Sequence, residues 1–350
     1  MSGPLLALTC YTPPNPRVWA TVMKRRDFIT LLGSAVAWPL VARAQQAGGV
    51  RKIGVLTVES DRVGQLHLKL LLQKLQELGW TDGRNVHIEV RLTGTDPGRI
   101  QTFARELVAW QPEVITTNST PGTAAVQRET RTIPTVFAIV ADPVGEGFVE
   151  SLAHPGGNIT GFINYESSIA GKWLDLLKEV RPQLARAVGL FNPDAAPGRG
   201  SFFLPSFKAA ARLLGITPLA TPVRSDADIE AAIAAVGDGP GGGIVMMADS
   251  FMGSHRSWVI EQAARHKIPA VYPFHSASAE GGLLSYGPDF SDLYLQQGVY
   301  VDRILRGAKP NELPVQVPTK FELVINLRTA KTLGIEMPAA LLARADRVIE

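Results

Sequence analysis

From Lys52 the chain alternates short apolar runs with longer stretches in which apolar residues recur at helical spacing. Residues 53–58 form an apolar run that predicts a strand. Leu66, Leu70, Leu71, Leu75 and Leu78 mark one face of a helix over 65–78, stopped by Gly79. Residues 86–92 alternate apolar and polar side chains, the pattern of a strand near a sheet edge. Strands at 114–117 and 135–140 are then separated by helices over 100–110 and 122–131. This β-α-β-α order predicts an α/β fold with a parallel sheet and helices on both faces.

The run at 135–140 ends at Ala141-Asp142-Pro143, where proline bars further strand pairing and aspartate suits a cap. A helical turn or two over 147–152 and a break at Pro155-Gly156-Gly157-Asn158 lead to a further strand at 159–162. This turn-rich bend between covered strands reads as cleft and hinge, because ligands of open parallel sheets sit beyond the carboxyl ends of the strands. The rhythm then starts afresh: helices over 170–180, 202–214, 229–236 and 258–266 alternate with strands at 187–191, 217–223, 244–247 and 270–273. A second sheet of the same kind is expected. Strands at 283–286 and 321–326, a helix over 293–305 and two closing helices should cross back and complete both lobes. The expected lobes are 50–162 plus about 283–317, and 163–282 plus about 318–350. A weak repeat agrees: the strand 114–117 with Asn118-Ser119, a helix and Ile133-Pro134-Thr135-Val136-Phe137 is echoed by 244–247 with Ala248-Asp249, a helix and Ile268-Pro269-Ala270-Val271-Tyr272.

Composition supports two cores, since the 350 residues are 45% hydrophobic and the glycines and prolines are spread rather than clustered. Charge changes the picture more. A net charge of +3 would suggest a nucleic-acid partner, but residues 1–44 hold five basic residues against one acid, which leaves 45–350 at −1. No nucleic-acid partner is expected. The leader itself reads as an export signal: Lys24-Arg25-Arg26 after Met23, a largely apolar 28–40 shorter than the ~20 residues that span a bilayer, and Ala42-Arg43-Ala44 as cleavage site. Residues 24–30 resemble a twin-arginine motif. Residues 1–22 read as an upstream extension from a misassigned start, so the mature chain is expected to begin after about Ala44, in the periplasm. The single cysteine, Cys10, falls in that extension, which leaves the mature chain without disulfides, thiolate metal sites or cysteine nucleophiles.

Candidate chemistry gathers at the ends of predicted strands. Ser119 and Thr120 precede Pro121-Gly122, with Thr120 suited to the N-cap and Pro121 to the first helical position. Hydroxyls and free amides there suit a carboxylate. Asp249-Ser250 closes the corresponding strand of the second half, where a carboxylate could receive an ammonium group. Glu59-Ser60, Asn164-Tyr165, Asn192 and Tyr286 also end strands, and aromatic rings beside polar groups suit a small-molecule cleft. Asp142 reads first as a turn cap and second as a ligand contact. No G-x-S-x-G, H-E-x-x-H or Walker-type motif occurs, and the six histidines lack metal-ligand spacing. Neither cofactor nor metal is expected.

The leader from Arg25 to Gln46, the stretch ADPVGEGFVESLAHPGGNITGF (141–162) and the tail PTKFELVINLRTAKTLGIEMPAALLARADRVIE (318–350) closely resemble ABC-transporter substrate-binding proteins of the tryptophan- and tyrosine-binder group. The resemblance runs from Met23 to the end. It implies a type I periplasmic-binding-protein fold, with two Rossmann-like doubly wound lobes joined at a hinge by three crossovers, closing on a ligand. It also implies that serine and threonine at a helix start and an acidic residue on the other lobe hold an amino acid, roles that map onto Ser119, Thr120 and Asp249. The expected protein is an exported monomer that delivers a carboxylate-bearing solute to an inner-membrane permease and is not an enzyme. The alternative is an exported hydrolase using the same cleft.

Overall fold

A computed structural model describes residues 49–58, 61–237 and 241–350; the expected extension, the leader and the candidates Glu59 and Ser60 lie outside the described residues. Buried β1 (Arg51–Thr57) leads to α1 (Arg62–Glu77), which buries Leu71 and Leu75 and starts where the Asp61 carboxylate accepts the Gly64 amide at 2.8 Å. Then follow β2 (Val86–Leu92), α2 (Pro97–Ala109), β3 (Val114–Asn118), α3 (Thr120–Glu129), β4 (Thr135–Val140) and β5 (Ile159–Ile163). These strands form a parallel sheet in the order β2-β1-β3-β4-β5, with β2 at its edge.

The second lobe repeats this connectivity. It runs through α4 (Ile169–Val180), β6 (Arg186–Phe191), α5 (Leu204–Leu213), β7 (Thr217–Pro222), α6 (Asp226–Gly237), β8 (Gly242–Met246), α7 (Ser250–Ser254), α8 (Arg256–Arg265), β9 (Ala270–Tyr272), α9 (His275–Ala279) and β10 (Leu284–Pro288). Strands β7-β6-β8-β9-β10 are parallel and follow the same order as the first lobe. After α10 (Phe290–Leu305), the sheet is extended by β11 (Phe321–Asn326), antiparallel to β10, and, beyond α11 (Leu327–Thr332) and α12 (Ala339–Leu342), by β12 (Arg347–Ile349).

In each lobe the order turns back beside the first strand, between β1 and β3 and between β6 and β8, which is where doubly wound sheets open a crevice at their carboxyl ends. The chain crosses between lobes three times: after β5, from β10 into α10, which packs on α1 and the first sheet, and from Gln316 toward β11. Gln316 ties two crossings together, its amide donating to the Gly161 carbonyl at 3.0 Å and its carbonyl accepting the Ile163 amide at 2.9 Å. On the second lobe, fully buried Trp173 packs edge-on against Tyr165 and donates its indole N–H to the Tyr286 carbonyl at 2.8 Å.

The structure departs from the sequence reading in how the two sheets divide and in the bend at 147–152. Residues 284–288, assigned to the first lobe within 283–317, are β10 of the second sheet, because they pair with both β9 and β11. The second sheet is not wholly parallel, since β11 returns directly beside β10. Residues 147–152 make turns rather than helix: Pro143, Gly145 and Gly147, the last at φ 68°, interrupt helical bonding while Phe148 and Val149 are buried against β4 and β5.

Candidate functional site

The carboxyl ends of both sheets face one cavity of ≈ 260 Å³. Its first-lobe wall includes Val58, Asp61, His67, Asn118, Ser119, Thr120 and Ile139, and its second-lobe wall includes Ala248, Asp249, Ser250, Arg256, Phe274 and His275. Asn164 at the first crossing and Asp289-Phe290 at the second close the remaining sides.

The two crevices are braced in the same way. The Asn118 side-chain oxygen accepts the Val58 amide at 2.8 Å, tying the ends of β3 and β1; the Asp249 Oδ2 accepts the Asn192 amide at 2.8 Å, tying β8 and β6. Asp249 also caps α7, its Oδ1 accepting the Met252 amide at 2.7 Å. A neutral amide suffices for the brace in the first lobe, so the charge on Asp249 exceeds what bracing needs. Burial pushes this carboxyl up to about 7, against the opposing pull of the Met252, Asn192 and Phe251 amides. A buried acid of this kind on a cavity wall is a functional-site signal.

Across the cavity, α3 starts one residue earlier than the sequence suggests. Ser119 is the N-cap, with Thr120 and Pro121 inside the helix. Ser119 sits at φ 65°, and its hydroxyl accepts the Gly122 amide at a long 3.4 Å, so the side chain is held by its backbone more than by its cap bond. Ile139 also has positive φ, 55°, at an irregularity in the β4–β5 register that turns it onto the cavity wall. Strain of about 1–3 kcal/mol at such residues is usually kept where it serves a site. Replacing Ser119 by glycine should therefore leave stability unchanged or raised by ~1 kcal/mol in denaturant titration, while ligand affinity falls through loss of the hydroxyl.

The apolar walls come from Phe274 and Phe290, edge to face at 5.9 Å, and from His67, stacked on Tyr294 at 4.6 Å. Arg256 joins the lobes: it donates to Asp61 Oδ2 at 2.7 Å across the cleft, and to Glu280 Oε1 at 2.7 Å within its own lobe. Its side chain is only 12% exposed. Burial alone would raise the Asp61 carboxyl, but the Gly64 amide and the Arg256 guanidinium outweigh it and hold the pKa below the usual carboxylate range. A second link is made where Glu146 accepts the Gly198 amide at 2.6 Å. Arg256→Ala should loosen closure and speed ligand release roughly tenfold, about 1.4 kcal/mol, in stopped-flow measurements.

Of the sequence candidates, Ser119, Thr120, Asn164, Asp249 and Ser250 share the cavity wall. Asn192, Tyr165, Tyr286 and Asp142 do not. Asn192 lies behind Asp249, bonded to it and to the Val223 carbonyl at 2.9 Å. Tyr165 is fully buried beneath the site, its hydroxyl donating to the Pro273 carbonyl at 2.5 Å. The Tyr286 ring stacks on Phe321, 5.8 Å away on β11. Asp142 caps its own turn, accepting the Gly145 amide at 2.8 Å. Asp61, Arg256, Phe274 and Asp289 were missed. Asp61 and Asp289 could have been found as aspartates standing between a strand end and a helix start. Among the described residues no group of three or more His, Cys, Asp or Glu is placed to hold a metal.

Two doubly wound lobes, linked by three crossings, meet over a small cavity at their switch points, which is the arrangement of a two-lobed ligand cleft. Residues 52–349 match the family described as ABC transporter substrate binding protein, and the chain belongs to that family. A tyrosine-binding protein of Clostridioides difficile is 25% identical over 272 residues, which cover 78% of this chain and 77% of the relative. The solved structure of an ABC domain from Streptococcus pneumoniae in complex with L-Trp is similar at TM-score 0.78 and 28% identity, covering 85% of this chain and 99% of that one. A conserved domain protein from Vibrio cholerae gives TM-score 0.79 and 29% identity over the same shares.

Proposed function

We propose that this chain captures an α-amino acid, aromatic in preference, in the interlobe cavity and delivers it to an inner-membrane permease. The observation that carries this reading is the pairing of opposite chemistries across one apolar-walled cavity. The start of α3, with the hydroxyls of Ser119 and Thr120 and the positive end of the helix dipole, suits a carboxylate, and buried Asp249 on the other lobe suits an ammonium group. Phe274, Phe290 and His67 suit a flat side chain between them. The ligands named for the Clostridioides difficile and Streptococcus pneumoniae proteins support this choice.

On this reading the protein works as an exported monomer in the periplasm, released from its leader after about Ala44, and returns its ligand unchanged. The family is one of substrate-binding proteins, the Clostridioides difficile relative is named a tyrosine-binding protein and the Streptococcus pneumoniae structure holds L-Trp, so the hydrolase alternative has no support. Closure of the lobes is the state a permease would read. Mass spectrometry of small molecules carried through native purification should find an intact amino acid at near one equivalent. A chemically altered product, or a ligand without an amino group, would overturn the reading.

A further inference from the structure

Asn164 is the first residue after β5, at the point where the chain first leaves the first sheet for the second lobe. Its position is fixed on both sides. The preceding Ile163 donates its amide to Gln316, and the following Tyr165 is buried with its hydroxyl on the Pro273 carbonyl. Asn164 is only 4% exposed, forms part of the cavity wall, and its Oδ1 is buried with no hydrogen-bond partner. A buried acceptor left unpaired is costly and therefore uncommon, and on a ligand cavity it is an acceptor that a ligand's donor satisfies.

An ammonium group presents three donors. Asp249 offers each of its oxygens already bonded to a backbone amide, so it supplies counter-charge more readily than it supplies three acceptors. We infer that Asn164 is a specificity-determining residue: its Oδ1 accepts an N–H of the ligand's amino group, so that the cavity discriminates amino acids from the corresponding acids that lack the amine. This rests on the amino-acid reading above and sharpens it. A site built to bond a polar group rejects the analogue lacking it, since its own buried group is then left unpaired.

The test compares L-tryptophan with indole-3-propionate, its des-amino analogue, by calorimetric titration of the mature wild-type protein and of Asn164→Leu and Asn164→Asp. In wild type the amino acid should bind more tightly. In Asn164→Leu the ratio of the two dissociation constants should fall roughly tenfold, through weaker binding of tryptophan alone. Asn164→Asp keeps an acceptor and adds a charge that attracts the ammonium, so the ratio should hold or rise; a roughly tenfold fall there, as in Asn164→Leu, overturns the assignment. Should the leucine variant not fold, Asn164→Ala is read in the same way. A ratio that falls by less than about threefold in the apolar variant, or equal weakening of both ligands, overturns the assignment and leaves the amino-acid reading standing. A wild-type protein that binds both ligands equally removes the amino-acid reading and the assignment with it; one that binds neither is titrated with L-tyrosine and its des-amino analogue, and absence of binding there too removes both.

Discussion

Asp249→Ala is expected to weaken amino-acid binding by ~1.5–3 kcal/mol, the usual worth of a hydrogen bond to a charged group, and to destabilise the second lobe as well. The alanine removes both the α7 cap and the brace on the Asn192 amide, leaving two backbone donors without their acceptors. Asp249→Asn separates these effects, because asparagine retains an acceptor and the shape while removing the charge, as Asn118 does in the first lobe. It should be the more stable variant of the two and still bind amino acids weakly.

The same residue predicts a pH dependence. Its folded pKa of about 7 lies above the ordinary carboxylate value, so the folded state holds a proton that the unfolded state releases. Its burial therefore costs nothing below about pH 4, costs progressively more as pH rises toward 7, and reaches at most about 4 kcal/mol above that. Binding runs the other way. Ammonium and proton compete for the carboxylate, so affinity should fall as pH drops below about 7, by at most about tenfold per unit. The Asp249→Asn protein should lack this slope, and the comparison also controls for the other charged and polar groups of the same wall. Equal slopes in the two proteins would remove Asp249 from the ammonium role.

Gly161→Ala should destabilise the protein by about 3 kcal/mol or more, lowering Tm by roughly 6–10 °C. Gly161 lies opposite Phe137 in the β4–β5 register, and a Cβ there would stand 2.1 Å from the Phe137 carbonyl oxygen and 2.7 Å from its nitrogen. Backbone must move to admit it. The same glycine's carbonyl receives the Gln316 amide, so displacement of β5 would disturb the first and third crossings together. Ligand affinity should fall along with stability. Unchanged Tm by calorimetry would show that the strand edge yields without cost.

The alternation of strands and helices was legible because apolar spacing reports burial, and β1, β3 and β4 are buried along nearly their whole length. Ser119, Thr120 and Asp249 were legible because polar residues that end a strand and open a helix stand at the crevice of a doubly wound sheet. Tyr165 and Tyr286 misled for a local reason: an aromatic residue near a strand end can turn into the core as readily as into a cleft, and Trp173, Phe203 and Phe321 supplied the packing. The Arg256–Asp61 link joins residues 195 apart in sequence, and no local spacing announces it. Ile139 reached the wall through a register irregularity that a Thr-Val-Phe-Ala-Ile-Val run does not reveal.

On the proposed function, an amino acid bridges the start of α3 and Asp249 inside the interlobe cavity. Titration calorimetry of the mature protein with L-tryptophan and L-tyrosine tests it most directly. Saturable binding of at least one of them at one site per chain, weakened in Asp249→Ala and in Ser119→Gly, is the result expected. Absence of binding by both, or binding that neither substitution changes, would contradict it.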